Sequence, residues 1–528
     1  MTDRLRLNEG NRRWWTLGAM CFALFMIMLD NTVVNVALPS IQRDLDASLS
    51  SLEWTVNAYT LTFAVLLVTG GRLGDIFGRR RMFLFGVVVF ALSSAAIGLA
   101  PDQAWLVGGR AVQGIGAAFM MPGSLSIITN TFPAHERGKA IGTWAGVSAL
   151  ALAIGPVVGG ALAEYVSWRA IFFLNVPVAI GAVIVTLFAT LESRDETTHH
   201  KVDVPGIAAL SVGLSALVLA LVEGNSWGWD STRILALFAV AAVAIVAFFV
   251  IEPRVREPMV DFSFFRSRTY LGANAVAFIV SFAMLAMFFF VALYMQNILG
   301  YSPIQAGIRF LPSTLMIVLI APISGRLADR IGPRPLMVAG LTLAAIAMAL
   351  QTRVDVDTGY SLLLPAFVLM GIGMALTMSP MSTAAMNSVD AAKAGVGSGI
   401  LSMNRMMGGT FGVAAIGALF QHLASDRFKE TLAGLPVSAA QREHLVDNLG
   451  SASNGESLHG LAPHVAQQVD GAARDAFIHA FSSGMWLSAG VAFSGALIAL
   501  FLIGPKKTAA QPEAAAVAEA TPEVAHAA

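Results

Sequence analysis

A chain of 528 residues with 56% hydrophobic residues, 12% charged residues and a mean hydropathy of +0.70 is built to face lipid, since a soluble globular chain carries about 25% charged residues. Its 33 basic and 33 acidic residues give a formal net charge of zero, which carries no sign of a nucleic-acid partner. The single cysteine, Cys21, excludes a disulfide framework and a cysteine metal site.

At about 20 apolar residues per membrane-crossing helix, fourteen helices are predicted. The first, 14–38, is too long for a signal-peptide core and is expected to stay as a helix. It holds Asp30 within FMIMLDNTVVNVALPS, and no other carboxylate lies in the interior of a predicted span. An ionisable group at such a depth is a functional group by default. Burial disfavours a carboxylate's charge and a neighbouring cation restores it. A conformational change that alters either can therefore load or release a proton. The plainer alternative is a static pair with an arginine.

The second helix, 54–71, leads into GGRLGDIFGRRR, Gly70 to Arg81. Gly71, Gly74 and Gly78 permit close approach and a tight turn. Asp75 can face the positive N-terminal end of a neighbouring helix and pair with Arg79. Simple anchoring of a basic loop needs neither the glycines nor the aspartate. Helices three and four are 82–100 and 105–128. Arg110 stands five residues into the fourth and Asp30 seven residues before Ala37, so both lie about 7–10 Å below the same surface at ~1.5 Å per residue. Matching depth pairs Arg110 with Asp30, directly or through Gln113. The fifth helix, 138–162, carries Gly155, Pro156, Gly159 and Gly160. Proline removes a helical hydrogen bond there, and small residues let helices close in.

The sixth helix is 169–191, and the next four are 205–222, 232–251, 270–296 and 305–324. After the tenth comes SGRLADRIGPRP, Ser324 to Pro335, a second copy of the earlier loop. Aligning Gly325 with Gly71 gives an offset of 254 residues and makes Asp329 and Arg330 counterparts of the first loop's charges. Six spans plus six would repeat sooner, so helices seven and eight read as an insertion. The expected organisation is an N-terminal tail 1–13, a six-helix bundle 14–191, two additional helices with connectors 192–269, a second bundle 270–503 and a tail 504–528. Repeated bundles of this kind build many secondary transporters. The last helices are 334–350, 361–386, 394–420 and 478–503. Between the final two, 424–475 reads as an external loop with one or two short surface helices. His422, His444, His459 and His464 lie in or beside it, at spacings that fit no helical metal pair. The Ala-, Glu- and Pro-rich stretch after Thr508 is expected to be disordered.

Of the 33 Lys and Arg, 22 fall on one set of alternating helix ends, 8 on the other and 3 within spans. This bias predicts an even number of spans with both termini cytoplasmic in the inner membrane.

Four stretches together resemble one family. LDNTVVNVALPSI, GGRLGDIFGRRR, LVGGRAVQGIGAA and AIGPVVGGALAEYVSWR are similar, in order, to motifs of the major facilitator superfamily, and within it of the 14-spanner drug:proton antiporters. The resemblance runs to about residue 503. It departs at Ile76, where the loop motif usually has a basic residue, and at Ala151, where many antiporters have glycine. It implies an all-α integral membrane protein with two six-helix bundles and two extra central helices. It also implies proton coupling through Asp30, Arg110 and Gln113, and a cytoplasmic latch made by Gly71, Asp75, Gly78 and Arg79 with Gly325, Asp329 and Arg330. The run Gly155, Pro156, Gly159 and Gly160 matches a motif that uptake members generally lack.

Asn35, Tyr59, Trp144, Asn274, Phe289, Asn404 and Arg405 are the residues expected to face a central cavity with substrate. Three membrane arginines against one aspartate suit a neutral, weakly anionic or zwitterionic lipophile at least as well as a quaternary cation. The expected function is a monomeric, proton-coupled exporter of lipophilic or amphipathic molecules that works by alternating access and without a cofactor. No phosphate-cradling loop or nucleophile–base set suggests an enzyme. Export of a lipid or cell-envelope precursor, and a non-transporting sensor on the same scaffold, are the alternatives.

Overall fold

The structure is a computed structural model that describes residues 9–46, 49–196, 202–255, 258–356, 358–438, 441–442, 445 and 462–505. Fourteen long helices follow one another: α1 (Glu9–Leu45), α2 (Leu49–Phe77), α3 (Arg79–Gly98), α4 (Gln103–Thr131), α5 (Arg137–Tyr165), α6 (Trp168–Ala189), α7 (Val204–Trp227), α8 (Thr232–Ile251), α9 (Arg268–Leu293), α10 (Pro303–Ile331), α11 (Pro333–Gln351), α12 (Tyr360–Asn387), α13 (Ala394–Ala433) and α14 (Pro463–Leu502). Among the described residues there is no strand. Each of the fourteen is long and apolar enough to cross a membrane, so the protein is a multi-pass membrane protein.

Backbone groups within lipid must find partners inside their own segment, which is why the apolar runs are continuous helices. Breaks occur where residues allow them. Gly78 at φ 109° and Gly332 at φ 90° turn the chain between α2 and α3 and between α10 and α11, in a region that a side chain disfavours. Asp102 caps α4 by accepting from the Trp105 amide, and Ser302 with Gln305 forms a capping box on α10.

Helices α1–α6 pack together, as do α9–α14, and α7 lies against α2 of one group and α13 of the other while pairing with α8. Two carboxylates just outside the predicted seventh and eighth spans are buried beside this pair. Asp203 and Glu252 are 7% and 0% exposed, and one oxygen of each converges beside Gly206. Their other oxygens accept from the amides of Gly206 (2.9 Å) and Val260 (2.5 Å).

The stretch 424–475 differs from expectation. α13 runs on to Ala433 and α14 starts already at Pro463, so much of the expected loop continues these two helices. Residues 441, 442 and 445 between them are helical, and 439–440, 443–444 and 446–461 lie outside the described residues. The two extensions share their own apolar contacts, with Phe428, Leu432, Val465 and Val469 buried, and Arg427 bridges to Asp475 at 3.0 Å. Apolar residues at helical spacing continue past the hydrophobic span, so the helices continue with them. His422 pairs with Asp426 and His464 sits at the start of α14, while His444, His459 and the tail after Thr508 lie outside the described residues.

Candidate functional site

Asp30 is 2% exposed and sits in a closed set of donors from two helices, α4 and α6. Arg110 of α4 donates through Nη1 to Asp30 Oδ2 at 2.5 Å. Gln113, one turn further along α4, donates to Oδ1 at 3.0 Å, and Asn175 of α6 donates to the same oxygen at 3.1 Å. Gln113 also accepts from Arg110 at 2.6 Å, and both amides donate to the Ser94 hydroxyl of α3. Arg110 spends its Nε on the Thr55 carbonyl of α2 and lies over the ring of Tyr59, 4.3 Å from its centroid. The carboxylate is thus met by one cation and two amides. Protonating it removes the charge that Arg110 answers, and Arg110 itself is only 1% exposed. Such a cluster has two electrostatic states and little room between them.

A second construction closes one end of the molecule, the end that bears most of the basic loops. Asp75, fully buried, accepts from the amides of Gly395 (2.9 Å) and Val396 (2.8 Å) in the first turn of α13. Arg79 donates to Asp75 through Nε (2.8 Å) and Nη2 (2.6 Å), and reaches the carbonyls of Ala391 and Ala392. A helix N-terminus presents free amides and a positive dipole end, so a carboxylate is its natural partner. The second copy does the same on the other side: Asp329 accepts from the amides of Gly138 (3.0 Å) and Lys139 (3.1 Å) in the first turn of α5. Gly71 rests on the Gly395 carbonyl and Gly325 on that of Gly138, so a methyl group at either would overlap backbone. The two clamps are not equal, because Pro333 stands where the first copy has Arg79. Arg330 is exposed.

Further bonds join the two groups of six helices at the same end, from Asn130 to Ala391, Arg137 to Asn387 and Ser398 to the Pro122 carbonyl. Lys393, just before α13, bridges Asp261 on the connector from α8 at 2.5 Å. Burial raises the Asp261 carboxyl, but hydrogen bonds from Lys393 and Ser263 outweigh it and hold the group at about 2.

The fifth-helix motif packs against α1 beside Asp30. Gly155 faces Thr32 and Gly159 faces Val33, whose Cγ1 lies 2.9 Å from where a β-carbon would stand. Gly160 is partly exposed, and the side chain of Pro156 lies outside the described residues. Gly159→Val is expected to cost about 1–3 kcal/mol through overpacking, seen as a lower melting temperature of the purified protein. Wild-type thermal stability would show that α1 and α5 are not tightly packed there.

Two of the residues expected to face a cavity do not. Tyr59 is 0% exposed and belongs beneath Arg110 in the Asp30 cluster. Trp144 is 2% exposed and donates its indole N–H to Ser124 inside the first bundle. An aromatic ring with a polar tip suits either place, so residue type alone did not separate them. Asn274 and Asn404 bond to each other at 3.1 Å, joining α9 to α13. Phe289 is 48% exposed and Arg405 partly so, while the side chain of Asn35 lies outside the described residues. Sequence reasoning passed over Asn175 and Ser94. Asn175 is the one amide in the apolar run of α6, and that isolation was its signal. It also passed over Glu192, which accepts from the amides of Arg80 and Arg81 and caps α3.

Residues 20–413 match the sequence model of the Major Facilitator Superfamily. The tetracenomycin C resistance and export protein of Streptomyces glaucescens is 35% identical over 492 residues, covering 93% of this chain and 91% of that protein. The puromycin resistance protein pur8 of Streptomyces alboniger is 36% identical over 506 residues, covering 94% and 93%. Among solved structures, the proton:xylose symporter XylE superposes with a TM-score of 0.61 at 14% identity, covering 95% of this chain and 98% of that one. At that identity the likeness is one of fold.

Proposed function

We infer that this chain, which belongs to the Major Facilitator Superfamily, exports lipophilic or amphipathic small molecules in exchange for protons. It is a transporter rather than an enzyme, and relatives that span almost its whole length are named for antibiotic resistance and export. The observation that carries proton coupling is the closed cluster around Asp30, where a buried carboxylate is held by Arg110, Gln113 and Asn175.

The mechanism follows from two states of that cluster and two states of the clamps. With Asp75 and Asp329 engaged, the basic-loop end is sealed. If the basic loops face the cytoplasm, as their charge favours, this is the outward-facing arrangement, with both termini inside the cytoplasmic membrane. A proton reaching Asp30 from outside releases Arg110 from its ion pair. The freed guanidinium is then costly where it is and favours a different packing of α1 against α4 and α5. Substrate that binds the opposite state more tightly drives the cycle back, and coupling is that difference in affinity. The proton gradient supplies the drive, no cofactor takes part, and one chain suffices.

The test is transport by purified protein in liposomes under an imposed pH gradient, with ethidium and fluorescein as lipophilic probes of opposite charge. Asp30→Asn is expected to keep probe binding and to lose gradient-driven movement by about tenfold or more, the size of a coupling free energy of about 1–3 kcal/mol. Equal gradient-driven transport by the variant would place the proton site elsewhere and leave Asp30 as a structural partner of Arg110.

A further inference from the structure

Arginines in the helical core of this protein are answered by an acceptor or a ring. Arg110 has Asp30, Arg79 has Asp75, and Arg309 bonds the Gln305 carbonyl at 3.1 Å and stacks on Tyr301. Arg405 on α13 differs from these three. Its Nε is buried and makes no hydrogen bond, and none of its nitrogens has a described hydrogen bond or ion pair. The two amides next to it, Asn404 and Asn274, are occupied with each other and with backbone carbonyls.

Its position on α13 gives the orphan a direction. Ser398, seven residues earlier, donates to the Pro122 carbonyl of α4 at 2.9 Å. Gly412, seven residues later, and Gly408 rest on the carbonyls of Phe282 and Phe278 of α9. Residues seven apart share a helix face, so Arg405 leaves α13 on the face that packs on α4 at Ser398 and on α9 at Gly412. It lies about 10 Å beyond Ser398 at ~1.5 Å per residue. Ser398 is the residue furthest along α13 from which a described hydrogen bond joins the two bundles. Arg405 is thus the first charge on α13 past the seal, and it is partly exposed. Neither α4 nor α9 contains an Asp or Glu, and after Asp390 the next one on α13 is Asp426. No carboxylate of α4, α9 or this stretch of α13 neutralises it.

A cation within the span with a buried nitrogen that has no acceptor is unfavourable unless something supplies the acceptor. We propose that Arg405 is the recognition site for an anionic oxygen on the exported molecule, and that the substrate class is an apolar acid, a phenolate or carboxylate on a lipophilic body. The proposal rests on the export reading for its meaning but not for its test. A planar guanidinium suits a carboxylate or phenolate better than an ammonium does. An apolar wall with one fixed polar group is the usual form of a small-molecule site.

The experiment uses the full-length protein in detergent and two dyes on one xanthene scaffold, fluorescein as the anion and rhodamine 6G as the cation. Binding is read by fluorescence anisotropy, and transport of the same dyes by reconstituted protein. Wild type is expected to bind fluorescein about ten- to a hundredfold more tightly than Arg405→Gln, the range for one hydrogen bond to a charged group. Rhodamine 6G is expected to bind the variant as well as or better than wild type, which also shows that the variant is folded. Arg405→Lys is expected to recover part of the fluorescein affinity. Equal fluorescein affinity in wild type and Arg405→Gln overturns the proposal, as does wild type that binds only the cation or neither dye. Binding that depends on Arg405 without any transport leaves this site standing and removes the export reading instead.

Discussion

Arg110→Met is expected to destabilise the protein by about 3–5 kcal/mol, the cost of leaving a buried charge without its partner. The reason lies in what remains. Asp30 would keep two amide donors, Gln113 and Asn175, but both are neutral, and the carboxylate is 2% exposed. Gln113 and the Thr55 carbonyl would each lose a donor as well. Methionine matches much of the arginine's length and can lie on the Tyr59 ring, so the loss is electrostatic rather than a cavity. Arg110→Met combined with Asp30→Asn is expected to regain most of the stability, because the second change removes the orphaned charge. A double-mutant cycle on melting temperature in detergent measures this coupling. If the two single changes simply add, Arg110 and Asp30 do not act as a pair.

The gate offers the second large effect. Asp75→Asn puts a donor where two backbone amides of α13 already point, and weakens the hold of Arg79. Losing one or two hydrogen bonds to a charged group is worth about 3 kcal/mol. That shifts the balance between the sealed and unsealed ends by about a hundredfold. Spin labels at Arg81 and Ile331, both exposed near this end, with Cys21 replaced by serine, report the separation of the two bundles. The variant should show a longer and broader distance distribution than wild type, and reduced transport. An unchanged distribution would mean that the Asp329 clamp and the glycine contacts hold the end closed without Asp75. The inequality of the clamps bears on this, since Pro333 replaces Arg79 in the second copy and the Asp75 side carries the extra links to Ala391 and Ala392.

How much of this was legible depended on how local each feature is. Depth counting along α1 and α4 put Asp30 and Arg110 at one level, and the folded chain brings them to 2.5 Å. That worked because rise per residue is constant in a helix. The type of partner for Asp75 was also legible, since glycines and an aspartate in a tight turn suit a helix N-terminus. Its identity was not, because the amides of Gly395 and Val396 are 320 residues and more along the chain. Tyr59 and Trp144 were misplaced for the same reason. Which face of a helix is covered by a neighbour is a property of the pair, and periodicity on one helix with apolar residues all round carries little of it.

What the sequence by itself determined was the set of fourteen spans, the sidedness of charge and the short list of ionisable groups within them. These follow from transfer free energies that each segment meets alone, since lipid must be faced by apolar side chains and a charge within it is costly wherever it packs. Only the tertiary structure decided which of those charges are satisfied. Asp30 and Asp75 found partners on other helices, and Arg405 did not. Satisfaction is a matter of a few ångströms between segments distant in the chain, and no local pattern encodes it.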